Sequence, residues 1–257
     1  MIFPKKSLGQ NFLTNTDIVA SIADAASLSS NETVLEIGPG KGILTGELLK
    51  RAGKVIAVEK DKELIPLLQE KFEKEIKENR LVLINEDILT FRFPELIEKY
   101  KLVANIPYYI TGQIIRQFLT AEKQPETMVL LVQKEVAERI IARDGKESLL
   151  SVSVKTYGTP SYIKTVKAGS FTPAPKVDSA ILLINNISRD FFNNISEERF
   201  FEVLHAGFAH KRKQLFGNLR AVFDEKVLRE RMEEEKIPEN IRAEDVSLPK
   251  WRGLSEN

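Results

Sequence analysis

The sequence predicts an α/β protein, a doubly wound and mostly parallel sheet followed by a small all-helical C-terminal domain. Short apolar runs alternate with segments of helical period between residues 34 and 142, the pattern of repeated β-α units. Right-handed crossovers in such units bring the C-terminal ends of the parallel strands to one edge of the sheet. From about Asn186 strands cease, and Phe200, Phe201, Leu204 and Phe208 mark one helical stripe ahead of the charged segment DEKVLRERMEEEK. The expected division is 1–186 for the sheet domain, including an N-terminal arm at 1–14, and 187–257 for the helical domain.

The elements follow from local pattern. The arm is polar and basic, without a clear period. Asn15 or Thr16 caps a helix whose apolar stripe is Ile18, Val19, Ile22 and Ala26. VLEI at 34–37 suits a buried central strand, and Ile43, Leu44, Leu48 and Leu49 recur at helical spacing after it. KVIAVE at 54–59 is a second strand. Asp61 then caps a helix carrying Leu64, Leu67, Leu68, Phe72 and Ile76, with Pro66 early enough to be tolerated. Further strands are predicted at 81–84, 102–104 and 128–132, and helices at 112–119, 134–142 and 148–157. A late hairpin at 161–166 and 177–184, joined through FTPAPKVDS, completes the sheet.

At 257 residues the chain can bury a core without crosslinks. The absence of cysteine excludes disulfides, thiolate zinc sites, cysteine nucleophiles and iron–sulfur chemistry. His205 and His210 miss the i, i+4 spacing of a helical metal pair, so no metal is expected. No apolar run reaches the roughly 20 residues of a membrane span, and MIFPKKSLGQNF lacks a signal-peptide core. A cytoplasmic protein is the expectation. With a net charge of +1, any polyanion must be held by a local basic patch.

The chemistry concentrates at the predicted strand ends. Gly38, Gly40 and Gly42 make a tight turn into a helix N-terminus, a seat for a small polar ligand. A dinucleotide fingerprint would read G-x-G-x-x-G, but here the third glycine comes one residue early and Ile43 fills its place, which argues against tight pyrophosphate binding. E-x-G-x-G-x-G is similar instead to the first motif of S-adenosylmethionine-dependent methyltransferases. Glu59 ends the next strand, where a carboxylate can accept both ribose hydroxyl protons; a surface acid capping the following helix would look the same. Asp87 is placed to accept from an adenine amino group, and the Ile88 N–H to donate to a ring nitrogen. Asn105-Ile106-Pro107-Tyr108 has the N-[IL]-P-Y form found in enzymes that methylate the exocyclic amine of adenine. That amine is a poor nucleophile because its lone pair is delocalised into the ring. Acceptors at the Asn105 side chain and the Ile106 carbonyl would favour a pyramidal nitrogen, Pro107 would fix the turn, and Tyr108 would stack on the base for about 1 to 3 kcal/mol.

These motifs, in this order, resemble the ribosomal RNA adenine-N6 dimethyltransferases over nearly the full chain, most of all the bacterial small-subunit (16S) enzymes of kasugamycin-susceptibility type. QNFL at 10–13 resembles the motif that closes over the methionine part of the cofactor, implying contacts from Asn11 and Leu13. EIGPGKG, VEKD, NEDIL and NIPYYIT match the next four motifs. Cofactor contacts are thereby implied at Gly38, Gly40, Glu59, Asp87, Ile88 and Asn105. FTPAPKVDS matches the late motif whose first residue, Phe171, is implied to stack on the target adenine opposite Tyr108. FAHKRKQLFGNL resembles the basic segment that meets rRNA, and Tyr109 stands where many relatives carry Asn. The resemblance implies a Rossmann-like class I methyltransferase with a seven-stranded sheet, S-adenosyl-L-methionine as donor and S-adenosyl-L-homocysteine as product.

Lys211, Arg212, Lys213 and Arg220 form the clearest basic cluster, which Lys5, Lys6, Lys134, Arg139 and Arg143 would extend. The expected reaction is dimethylation of N6 on each of two adjacent adenosines near the 3′ end of 16S rRNA, within the small ribosomal subunit, by a monomer. Two other readings stay open: a 23S rRNA adenine methylase of macrolide-resistance type, and a non-catalytic RNA-binding relative.

Overall fold

The computed structural model describes residues 4–5, 8–92 and 99–256. In chain order its strands and helices are β1 (Phe12–Leu13), α1 (Thr16–Ala25), β2 (Thr33–Ile37), α2 (Ile43–Leu49), β3 (Lys54–Glu59), α3 (Ile65–Lys71), α4 (Glu73–Lys77) and β4 (Leu81–Asn85). There follow β5 (Lys101–Asn105), α5 (Thr111–Leu119), β6 (Thr127–Gln133), α6 (Lys134–Ile140), α7 (Leu149–Lys155), β7 (Thr159–Val166), β8 (Phe171–Thr172) and β9 (Ser179–Asn185). The chain closes with α8 (Glu197–Gly207), α9 (Leu215–Leu219), α10 (Glu225–Glu234) and α11 (Leu248–Ser255). Among the described residues no helix is long and apolar enough to cross a membrane.

The chain forms two compact units, Met1–Ala137 with Thr159–Ile187, and Glu138–Gly158 with Ser188–Asn257. The second boundary falls beside the expected 186/187 division. The stretch 138–158, assigned from sequence to the sheet domain, groups with the helical unit instead, because α7 contributes Val152 to that unit's core.

The first unit is built on a seven-stranded sheet of order β4-β3-β2-β5-β6-β9-β7. β2 through β6 run parallel, and β9 pairs antiparallel with both β6 and β7. Their near-continuous apolar sequence reflects a sheet covered on both faces: Val34, Leu35, Val55, Ala57, Leu102, Val103 and the core of β6 are fully buried. All five parallel strands therefore end at one edge, at Ile37, Glu59, Asn85, Asn105 and Gln133. β2 and β5 are direct neighbours, with Ile37 opposite Ala104, so the glycine turn and the Asn105 corner adjoin.

Two features depart from the local reading. The arm is not periodless coil throughout: β1 pairs antiparallel with β8, Phe12 opposite Thr172 and Leu13 opposite Phe171. The predicted helix over 64–76 breaks into α3 and α4 at Phe72, whose φ of −118° and ψ of 29° leave the helical region. In the second unit Phe191, Phe192, Phe200 and Phe201 pack edge to face around Tyr157, with Leu215, Met232 and Trp251 in the same core.

Candidate active site

The ends of β2, β3, β4 and β5 and the arm surround one cleft. Its wall includes Leu8 to Leu13, Glu36 to Lys41, Glu59, Lys60, Asp87, Ile88 and Asn105 to Ile110, so every predicted cofactor position and all of Asn105 to Tyr108 meet there. Phe171 does not line it. As part of β8 it is only 4% exposed and belongs to the same core cluster as Leu13, its partner across the β1–β8 pair.

The glycine turn is shaped by its neighbours. Gly40 donates its N–H to Glu59 Oε2 at 3.0 Å, and a Cβ there would meet the Phe12 ring at 3.1 Å. Gly42 has φ of +73°, and a Cβ would lie 2.6 Å from the Phe72 ring and 2.9 Å from Leu68. The Phe72 break and the third glycine are thus one arrangement, in which the ring packs under the turn.

Glu59 is buried, and its Oε1 accepts from the Asp61 N–H at 2.8 Å. Burial pushes its carboxyl above the usual range, partly offset by these N–H donors. Each oxygen keeps a lone pair for a further donor, which suits a ribose diol. Asp87 is more heavily engaged. Lys60 Nζ lies 2.7 Å from its Oδ2 and the Leu89 N–H 3.0 Å from its Oδ1. Chiefly through Lys60, its carboxyl is held below the usual range.

At the neighbouring corner Asn105 Nδ2 donates to the Asn11 carbonyl at 3.2 Å. That bond sets the amide so that Oδ1 remains an acceptor. Tyr108 is half-buried, and its hydroxyl bonds the Ser179 hydroxyl at 2.7 Å, which anchors the ring from β9. Tyr109, by contrast, is 61% exposed at the rim, edge-on to Gly9.

One wall residue was not singled out from sequence. Glu36, inside the EIGPGKG motif, is 1% exposed and neither carboxylate oxygen has a hydrogen-bond partner; the nearby Thr45 hydroxyl does not close the geometry. Burial, reinforced by Glu59, pushes its carboxyl up to about 8. Lys5 reaches Asp61, a residue read only as a helix cap. An apolar run ending in Glu signals a strand, but its burial depends on α2 and α3 folding over it.

The basic cluster lies in the second unit. Lys211, Arg212 and Lys213 are exposed on the turn between α8 and α9, and Arg220 lies 3.5 Å from Glu225. Of the residues expected to extend it, Lys5 is engaged by Asp61 and Arg143 by Glu138. Lys6 lies outside the described residues.

The cleft fits S-adenosylmethionine on the structure's own terms: a carboxylate with spare lone pairs, a buried unpartnered carboxyl, and open space above Gly38 where no atom lies within 4 Å of an added Cβ. A family model described as ribosomal RNA adenine dimethylase matches residues 3–256. The ribosomal RNA small subunit methyltransferase A of Dehalococcoides mccartyi is 44% identical over 255 residues, covering 97% of this chain and 87% of that one. The protein of the same name from Clostridium botulinum is 39% identical, covering 98% and 92%. Among solved structures, a dimethyladenosine transferase from Plasmodium falciparum superimposes with a TM-score of 0.82 at 27% identity, covering 95% of each chain. The 23S rRNA methyltransferase ErmE gives 0.80 at 28% identity, covering 95% and 98%. A match of this extent, on a chain whose glycine turn and Asn105 corner share one cleft, means that the protein belongs to the ribosomal RNA adenine dimethylase family.

Proposed function

We propose that the protein dimethylates N6 of two adjacent adenosines near the 3′ end of 16S rRNA, acting on the small ribosomal subunit in the cytoplasm. The observation that carries this reading is the Asn105 side chain, tied through Nδ2 to the Asn11 carbonyl on the same edge as the glycine turn. With one amide N–H spent on Asn11, the side chain keeps Oδ1 as an acceptor for an incoming amine.

S-adenosylmethionine supplies an electrophilic methyl carbon with a neutral thioether leaving group. Glu59 is read as holding the ribose through its free lone pairs, and Asp87 and Ile88 as bordering the adenine end. Asn105 Oδ1 and the Ile106 carbonyl accept the two N–H bonds of the target amine, so that its lone pair turns out of the ring plane. The Tyr108 ring, held by Ser179, supports the base. No strong general base is needed before transfer, because the amine proton becomes acidic once the methyl is attached. The target base must leave its stack, at a cost of a few kcal/mol. Lys211, Arg212 and Lys213 are read as phosphate contacts.

The sequence identity to small-subunit enzymes, higher than that to the 23S enzyme, favours the small-subunit substrate. The test is nucleoside mass spectrometry after incubation with methyl-labelled donor and either immature small subunits or protein-free 23S rRNA. Labelled N6,N6-dimethyladenosine from the small subunits is expected; label confined to 23S rRNA would replace this reading with the macrolide-resistance one.

A further inference from the structure

The arm makes more contacts than closing over a cofactor requires, and they converge on a residue outside the catalytic corner. Asp61 has a side chain only 1% exposed, yet it carries a charge. A buried carboxylate must be compensated, and here the compensation comes from the arm. Lys5 Nζ lies 2.6 Å from Oδ1, and Gln10 Nε2 donates to Oδ2 at 2.9 Å. Lys5 is also bonded to the described stretch that follows. The Lys5 N–H donates to Gln10 Oε1 at 2.8 Å, and the Leu8 N–H to the Lys5 carbonyl at 3.1 Å. Lys5 also lies 2.9 Å from Glu63, whose 58% exposure makes that contact the weaker one.

Beyond these bonds Leu8 to Leu13 line the cleft, and the Asn11 carbonyl holds Asn105. Behind it, the Asp61 N–H donates to Glu59 Oε1. Asp61 therefore touches the arm with its side chain and the ribose acceptor with its backbone.

We infer that Asp61 is a positioning residue that latches Lys5 and Leu8 to Leu13 as a strap across the cleft, so that breaking its bonds to Lys5 and Gln10 governs how fast the cofactor leaves. The inference rests on the cofactor reading above. The strap's far end is held separately, by β1 pairing with β8 and by the Thr14 N–H on the Ser170 carbonyl, so it should swing out from its Lys5 end.

The experiment compares wild type with Lys5→Gln, Gln10→Leu and Lys5→Arg, none of which disturbs the Asp61 cap on the Glu63 N–H. Amide hydrogen exchange on the cofactor-free protein reads the latch directly. Lys5→Gln and Gln10→Leu are expected to speed exchange at Leu8 and Gln10 while Thr14 stays protected. Stopped-flow release of S-adenosylhomocysteine should accelerate about tenfold for either variant, as loss of one hydrogen bond to a charged group implies, and Lys5→Arg should restore the slow rate. Unchanged exchange and release in both variants, with wild type binding the ligand, would overturn the latch alone. Failure of wild type to bind S-adenosylhomocysteine in calorimetry would overturn the cofactor reading and the inference with it.

Discussion

At the scale of single residues, the division of labour between Asn105 and Glu59 is separable by experiment. Asn105 is tied through Nδ2 to the Asn11 carbonyl, and on the proposed function its oxygen accepts from the substrate amine. Asn105→Ala should lower single-turnover methyl transfer at least about 100-fold, the order expected when a reacting group loses its positioning, while calorimetry finds cofactor affinity nearly unchanged. Glu59 should behave oppositely. Glu59→Gln loses charge-assisted hydrogen bonds, and cofactor affinity should fall roughly 10- to 100-fold. Its pH dependence has a definite sign. Burial raises the carboxyl, and the diol donors favour the ionised form, so affinity should weaken on acidification before the ordinary carboxylate value of 4.5 is reached. Calorimetry across that range should show the trend in wild type and lose it in Glu59→Gln. Both positions were legible in the sequence because each residue ends an apolar run, and each does end a strand. The burial of Glu36 and the latch at Asp61 were not, since those depend on which elements pack around them.

At the scale of elements, the β2–α2 turn is the part whose sequence and geometry agree most closely. Gly42 sits at φ of +73° with Phe72 where its Cβ would be. Gly42→Ala combines a left-handed strain of order 1 to 3 kcal/mol with displacement of a buried ring. Urea unfolding should report a destabilisation of at least about 2 kcal/mol, whereas Gly112→Ala, with nothing within 4 Å of the added carbon and a place inside α5, should not destabilise the fold. The same turn explains a miss. Periodicity alone continues the helix from Leu64 to Ile76, because the reason for breaking it at Phe72 lies in Gly42, distant in sequence. The four inner parallel strands, β2, β3, β5 and β6, were legible because burial on both faces leaves an unbroken apolar run. β1 and β8 were illegible for the opposite reason: strands of two residues show no period, and their pairing is set by chain far away. Phe171 follows from that pairing. Its burial comes from β8 pairing with the arm, Phe171 opposite Leu13, which no local pattern announces.

At the scale of the whole molecule, charge matters in two ways. With a net charge of only +1, RNA affinity must come from local clusters, so replacing Lys211, Arg212 and Lys213 together with alanine should reduce the slope of log affinity against log salt by up to roughly 3, with cofactor affinity unaffected. Filter binding across a salt series measures it. The second effect is on folding itself. Glu36 has no partner within good hydrogen-bond geometry, burial and the Glu59 charge disfavour its ionisation, and Thr45 and the attraction of Lys71 offset this only in part, which leaves its carboxyl at about 8 against 4.5 for an ordinary glutamate. The folded chain therefore holds this proton more tightly than the unfolded one. Stability from this group is fully present below 4.5 and is lost as pH rises through about 8, in total about 5 kcal/mol for a shift of this size. Glu59 is raised in the same direction and adds to the slope, so the informative quantity is the difference between wild type and Glu36→Gln. Chemical unfolding of the cofactor-free proteins across that window should show the variant gaining on wild type as pH increases, with the two curves parallel only beyond its ends. A difference that stays constant from acid to alkaline pH would mean that Glu36 is already ionised in the fold at neutral pH, paired with a group the cleft supplies.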